Sequence, residues 1–340
     1  FYVIDNMATV DLFAIGNALI DQEFKVSDDF LIQQNLQKGT MQLTDGETQA
    51  QLFDNLQQTQ VYKGQAAGGS AANTTVAFSA LGGQAFYGCR VGNDDLGQIY
   101  LAGLNDAGIQ TSDKSISEGV TGTCMVLVSD DSERTMHTYL GITAELSDQE
   151  IELEPLKTAK WLYIEGYLST SDTAREAVKQ ARQIARDHGV KIALTLSDPA
   201  MVQYARAGLD DLIADGVDLL FCNEQEALMY TQTDSIDAAL EKLKALSDQI
   251  VITLGANGAL VSTKDDLIRV NGRNVIAVDT NGAGDAFSGT FLYALNAGKD
   301  LQTATELAIL ISSQVVSQFG PRLDVKDYAK LLNEFQTEIA

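Results

Sequence analysis

The chain is poor in cysteine, histidine, proline and positive charge, and each shortage removes a class of function. Three cysteines, Cys89, Cys124 and Cys222, are odd in number and far apart. They exclude a disulfide framework and a cysteine-rich zinc site, and they point to a reducing, cytoplasmic compartment. The two histidines, His137 and His188, form no HExxH pair, which leaves little material for a histidine metal site or a Ser–His–acid triad. Against 47 Asp and Glu stand 23 Lys and Arg, a net charge of −24. Such a surface repels phosphate backbones and anionic bilayers, so neither nucleic acid nor membrane is expected as a partner. An anionic ligand would need a locally positive site. No apolar run reaches the ~18–20 residues that span a bilayer. Phe1–Asn6 lacks the basic and apolar regions of a signal peptide, and Met7 is expected to be the natural start. There is no Gly-x-x-x-x-Gly-Lys-Ser/Thr loop and no Gly-x-Gly-x-x-Gly after the first apolar run. A Walker-type phosphate loop is therefore excluded, and a dinucleotide fingerprint is missing.

What is present is a chain of 340 residues, 45% hydrophobic and 21% charged, able to bury a large core. Its length fits two domains or one large α/β domain with inserts. Short apolar runs read as buried strands: Val10–Gly16, Phe86–Val91, Trp161–Tyr167, Lys191–Leu196, Leu219–Cys222 and Ile250–Leu254. Between them, Ser70–Leu81, Asp94–Ala107, Asp172–His188, Glu224–Thr231 and Ile236–Ser247 carry apolar residues at helical spacing. Only three prolines occur, and none breaks these runs. The alternation predicts a mostly parallel sheet with helices on both faces. Two segments break it, about 21–65 and 111–140. Their short half-polar strands (Gln22–Val26, Thr40–Leu43, Val61–Lys63, Cys124–Ser129, Arg134–Leu140) predict a small antiparallel sheet, a lid over the carboxyl edge of the main one. The expected organisation is one domain over 7–340 with the lid inserted into it. No linker, internal repeat or low-complexity tract divides the chain.

Five stretches carry chemistry. The first is Asp279-Thr280-Asn281-Gly282-Ala283-Gly284-Asp285, between a β-branched run (Val275–Val278) and an amphipathic helix. Small residues at Gly282, Ala283 and Gly284 let backbone N–H groups converge at a helix start, an anion hole. A carboxylate there repels phosphate, a conflict that resolves if Asp285 is a general base beside the transferring group. An acid at a helix start is also an ordinary cap. The second is Gly68-Gly69-Ser70-Ala71-Ala72-Asn73, whose glycines admit a ligand to the backbone and whose Asn73 offers donor and acceptor to a hydroxyl; a tight strand–helix turn reads the same way. In the third, Asn223 and Glu226 share a helix face and suit the water shell of Mg²⁺, or simply cap the helix. In the fourth, Thr253, Gly255 and Gly258 form a strand-ending turn that holds nucleotide backbone or merely connects strands. In the fifth, Asp21 ends Gly16-Asn17-Ala18-Leu19-Ile20-Asp21 beyond the first strand, where open α/β sheets bind ligands; a plain loop acid is the alternative. His137 and His188 read as a lid-strand residue and a helix-end residue without a role.

The order of these five pieces, from about Val10 to Leu332, resembles the ribokinase-like (PfkB) family of sugar and nucleoside kinases. The resemblance implies a Rossmann-type α/β/α sandwich with a small β-sheet lid. It implies Asp285 as catalytic base, Gly282, Ala283 and Gly284 as anion hole, and Asn223 and Glu226 as the Mg–phosphate pair. Asp21, Gly68, Gly69 and Asn73 then contact substrate hydroxyls, and Thr253, Gly255 and Gly258 lie at the nucleotide. Some members use a monovalent cation such as K⁺, whose site would begin at Asp279. Within the family, Gly16–Asp21, Thr121–Cys124 and Ile164–Tyr167 are most similar to the adenosine kinase-like subgroup. Tyr167 would then stack on a base, or pack at the sheet edge; Arg134 would reach phosphate or substrate from the lid, or lie in a surface turn. The implied activity is ATP- and Mg²⁺-dependent phosphotransfer to a hydroxymethyl group of a nucleoside such as adenosine. The alternatives are a free-sugar kinase and a non-catalytic nucleoside-binding protein, and a dinucleotide-dependent oxidoreductase lacks its glycine fingerprint. The protein is expected as a monomer or a lid-mediated homodimer.

Overall fold

A computed structural model describes residues 10–338; the expected start at Met7 lies outside them. The chain opens with β1 (Leu12–Ile15) and crosses at once into β2 (Leu19–Lys25). There follow α1 (Asp28–Gln33), β3 (Met41–Leu43), α2 (Gly46–Thr59), β4 (Val61–Gly68), α3 (Ser70–Ala80) and β5 (Ala85–Gly88). A ribbon of β6 (Val91–Gly92) and β7 (Ile116–Ser117) brackets α4 (Asp95–Asp106), and β8 (Gly122–Val128) turns into β9 (Arg134–Tyr139). The second half alternates: α5 (Leu153–Thr158), β10 (Trp161–Glu165), α6 (Asp172–His188), β11 (Lys191–Thr195), α7 (Pro199–Tyr204), α8 (Arg206–Ile213), β12 (Val217–Asn223), α9 (Glu224–Thr231), α10 (Ile236–Leu243) and β13 (Ser247–Thr253). It closes with β14 (Ala259–Ser262), β15 (Leu267–Val270), α11 (Ala283–Asn296), α12 (Leu301–Val315) and α13 (Val325–Glu338).

The main sheet has eight strands in the order β15-β14-β13-β12-β11-β10-β1-β5. All pairs from β13 to β5 are parallel, and only β14 and β15 run antiparallel. Alternation along each strand feeds two cores. Leu12, Ala14, Tyr163 and Phe221 face α3, α4 and α11–α13, whereas Phe13, Ile15, Ile164 and Cys222 face α5–α10. The helices follow from local chemistry. In α6, Ser171 caps the Ala174 amide, Gly189 ends the helix at φ 73°, and Ala174, Ala177, Val178, Ala181 and Ala185 form the buried stripe. The α/β/α reading therefore holds, and the predicted α6 and α9 coincide with the observed spans.

The lid departs from expectation. Its sheet, β3-β9-β8-β2-β4, is mixed: β2 pairs parallel with β8, and β3 with β9. Only the β8–β9 hairpin has the short turn that forces antiparallel pairing; the other strands arrive from separate parts of the chain. Helices α1 and α2 cover its outer face through Phe24, Leu31, Leu52, Leu56 and Leu127. The run Val275–Val278 is no strand but an exposed loop, with Ile276 85% accessible. All three cysteines are buried and free.

Candidate active site

One cavity lies where the carboxyl ends of the parallel strands meet the lid, the position that open α/β sheets reserve for ligands. Its floor includes the N-terminal ends of α3, α9 and α11, and its roof is the inner face of the lid.

Helix α11 begins at Gly282, whose φ of 74° is glycine's own region; a side chain there would also collide with the Pro321 carbonyl. Asp285 stands in the first turn, facing the cavity with Gly282 and Gly284; Ala283 is not on its wall. The Ala283 amide donates to the Thr280 carbonyl at 3.4 Å, and the helix dipole favours an anion at this point. Two donors hold the Asp285 carboxylate: Ser70 Oγ donates to Oδ1 at 2.6 Å, and Asn73 Nδ2 to Oδ2 at 2.9 Å. Both come from the first turn of α3. That helix and α11 approach closely because residue 289 is glycine; a Cβ there would strike the Thr74 carbonyl. Loss of water pushes the Asp285 carboxyl above its ordinary range, against the pull of Ser70, Asn73, Arg134 and Arg322.

The lid contributes Arg134, at the start of β9. Its Nη1 donates to Asn281 Oδ1 at 3.2 Å and to the Thr280 carbonyl at 3.4 Å. It is thus no free surface residue but a cation laid against the loop that opens α11. Asp21 does not lie at the end of the first strand, the expected position, nor is it the plain loop acid of the alternative; it is a buried residue within lid strand β2, because the chain leaves β1 and enters the lid after three residues. It lines the cavity, and burial pushes its carboxyl up to about 7. Gly68 lies beneath Asp21, where any side chain would overlap the carboxyl group; Gly69 lines the cavity and Gly68 does not.

Asn223 and Glu226 form a reciprocal capping box on α9: Asn223 Oδ1 accepts from the Glu226 amide, and Glu226 accepts from the Asn223 amide and side chain. Both still line the cavity, and burial raises Glu226 to about 8. The capping reading is therefore observed in full. No group of three or more His, Cys, Asp or Glu suited to a metal occurs among the described residues. The donor set fits Mg²⁺ held mainly by phosphate and water, with Asn223 and Glu226 behind its water shell. Thr253 lines the cavity, whereas Gly255 and Gly258 sit in the turn beyond it; a side chain at Gly258 would strike the Val270 carbonyl, so that glycine serves the turn. Asp279 is fully buried, its oxygens accepting from the amides of Asn281 and Gly320 at 2.9 Å each, which makes it a staple between two loops. Tyr167 lines the cavity, partly buried against the α6 side of the core, with its hydroxyl 3.5 Å from Asp198.

Three contributors were not singled out from sequence. Glu165, at the end of β10, is fully buried and accepts from the amides of Asn17 and Ala71 at 2.7 Å each, so it ties the entry to the lid to the start of α3. Burial raises it to about 7. An acid inside an otherwise apolar strand run, Trp161–Tyr167, was its visible signal. Arg322 reaches Asn73 from the far end of the chain; only its rarity as a cation in an acidic chain marks it. Leu19, Met41, Leu43, Met136 and Leu140 give the roof an apolar lining.

Among the described residues no helix is long and apolar enough to cross a membrane. The profile of the pfkB family carbohydrate kinases matches residues 40–327. A ribokinase from Haemophilus influenzae is 30% identical over 266 residues, 76% of this chain and 83% of the relative. The crystal structure of adenosine kinase from Sinorhizobium meliloti superposes with a TM-score of 0.90 at 33% identity, covering 96% of this chain and 99% of that one. A probable sugar kinase from Rhizobium etli gives the same TM-score and coverage at 34% identity. With this fold, and with the profile spanning most of its length, the chain belongs to the pfkB family and is a sugar or nucleoside kinase.

Proposed function

We propose that the protein transfers the γ-phosphoryl group of ATP to a hydroxymethyl group of a nucleoside, adenosine being the first candidate, with Asp285 as general base. The observation that carries this reading is Asp285 itself: a carboxylate in the first turn of α11, gripped by Ser70 and Asn73 under the lid arginine. Asp285 takes the proton from the acceptor hydroxyl as that oxygen attacks phosphorus, and the β–γ bridging oxygen leaves with ADP. The amides of Gly282 and Gly284 hold the transferring oxygens, with Ala283 standing off the cavity wall between them, and Arg134 adds positive charge from above. Asp21, with Gly69 beside it, accepts from the sugar hydroxyls, and Thr253 borders the nucleotide. Asn223 and Glu226 would hold Mg²⁺ through water, and the ion would neutralise phosphate charge. The lid excludes water as a rival acceptor.

The apolar roof opposite Tyr167 supports a flat base over a bare sugar. The ribokinase and sugar-kinase similarities favour a second reading, a free-sugar kinase with the same base. Under either reading the partner is a small molecule, the setting cytoplasmic, and the assembly a monomer or lid-paired dimer. The test is ADP release from Mg·ATP with adenosine, inosine, guanosine, cytidine, ribose, fructose and fructose phosphates, with and without K⁺. Turnover of one nucleoside well above the sugars is expected; a sugar preference installs the second reading, and binding without turnover of any acceptor contradicts both. A K⁺ requirement would point to a cation site beside Asp279.

A further inference from the structure

Arg322 lies 249 residues from Asn73 in sequence, yet its Nε donates to Asn73 Oδ1 at 2.6 Å. Two contacts put it there. The Gly320 amide donates to Asp279, and the Pro321 carbonyl occupies the space a side chain on Gly282 would take, so the segment before Arg322 is seated on the loop that starts α11. The guanidinium has only donors, whereas the Asn73 amide has a donor end and an acceptor end. Arg322 therefore takes the acceptor end and turns the NH₂ group toward Asp285. The chain of bonds runs one way, from Arg322 through Asn73 to Asp285, with Ser70 supplying the second donor.

We propose that Arg322 is a positioning residue for the base: it locks the Asn73 amide so that Asp285 meets donors on both oxygens and stays ionised, ready to accept a proton. This rests on the role of Asp285 proposed above. Without Arg322 the amide is free to turn its carbonyl oxygen toward the carboxylate, which then loses a donor and gains a repulsive acceptor. Other groups face Asp285 and remain in place. Arg134 favours its charged form, and the carboxyls of Asp21, Glu165 and Glu226 oppose it. Tyr163, Tyr167 and Tyr328 face it too, and burial keeps all three neutral.

The test compares the full chain with Arg322→Met and Arg322→Lys. The Asp285 carboxyl is titrated by ¹³C NMR in protein labelled at the aspartate γ-carbon, with its resonance assigned by its loss in Asp285→Asn. The expected result is a midpoint about one pH unit higher in Arg322→Met and an intermediate one in Arg322→Lys, which keeps the charge without the planar Nε donor. The acid limb of kcat/KM moves up with it, and kcat/KM at neutral pH falls about tenfold or more while KM for ATP holds. A wild-type midpoint in folded Arg322→Met overturns the proposal. If Arg322→Met does not fold, Arg322→Lys decides alone, and a wild-type midpoint there overturns it equally. The titration needs no substrate, so a wild-type enzyme silent on every acceptor would count against the kinase reading, whereas the role of Arg322 stands or falls on the midpoints.

Discussion

At Asp285 two opposing effects meet. Removal from water favours the neutral acid, and two hydrogen bonds with two nearby guanidinium groups favour the carboxylate. A base needs both: a raised affinity for the proton and an ionised resting state. Arg134 is the half of that balance that comes from the lid, and it is bonded to the body through Asn281 and Thr280. Replacing it by alanine removes the charge that the proposed reaction sets against the transferring group, without opening the core. We expect Arg134→Ala to lower kcat about 10²–10³-fold and to leave thermal stability nearly unchanged, as read by steady-state kinetics beside a melting curve. A loss of stability in proportion to the loss of rate would make Arg134 a structural latch instead. Glu165 is a lone acid in an apolar strand run, whereas Glu226 and Asp285 were legible because motif spacing names them. Arg322 was not, because nothing local in Gly320-Pro321-Arg322 tells of an asparagine at the other end of the chain.

Between elements, the closest approach that matters is α3 against α11. Small residues on α3 and Gly289 on α11 bring the helices near enough for Ser70 and Asn73 to reach Asp285. Gly289→Ala would place a methyl group against the Thr74 carbonyl and the Ala77 side chain. The expected cost is about 1–3 kcal/mol of stability, together with reduced turnover as the two donors withdraw. Denaturant unfolding and kcat measured on the same variant check this; unchanged values in both would mean the helices part freely. The main sheet was readable because alternate residues of each strand enter two apolar cores, so the runs are apolar throughout. The lid was harder. Helix α2 went unrecognised because its buried face includes Gln49 beside Leu52 and Leu56, a glutamine bonded to backbone carbonyls of the lid sheet. The mixed pairing of the lid was hidden for a different reason: strand direction there is set by tertiary path and not by a turn. Asp21 followed the same logic, since the step Gly16-Asn17-Ala18 from β1 into β2 does not tell that the chain passes into a different sheet.

Over the whole molecule, the surplus of acid has a consequence for stability. Burial raises Asp21 and Glu165 to about 7 and Glu23 and Glu226 to about 8, from ordinary values of 3.8 for aspartate and 4.5 for glutamate. Between those limits the folded chain keeps protons that the unfolded chain releases, so stability falls as pH rises toward about 8. Asp11, Asp94 and Asp300 shift the opposite way through lysine, backbone or side-chain hydrogen bonds, and their contribution is lost only below about pH 4. The protein without ligands should therefore melt at a higher temperature near pH 5.5 than near pH 8.5 at fixed ionic strength. A melting temperature that rises over this interval would show the buried acids to be ionised throughout.

In the proposed reaction one carboxylate at the head of α11 performs the proton transfer. Its most direct test is a single-turnover measurement of phosphoryl transfer with the acceptor that the wild-type enzyme uses, comparing wild type with Asp285→Asn while calorimetry follows acceptor and nucleotide binding. The expected rate is lower by about 10²–10⁴-fold with both ligands still bound; a near-normal rate in Asp285→Asn would remove Asp285 as the base.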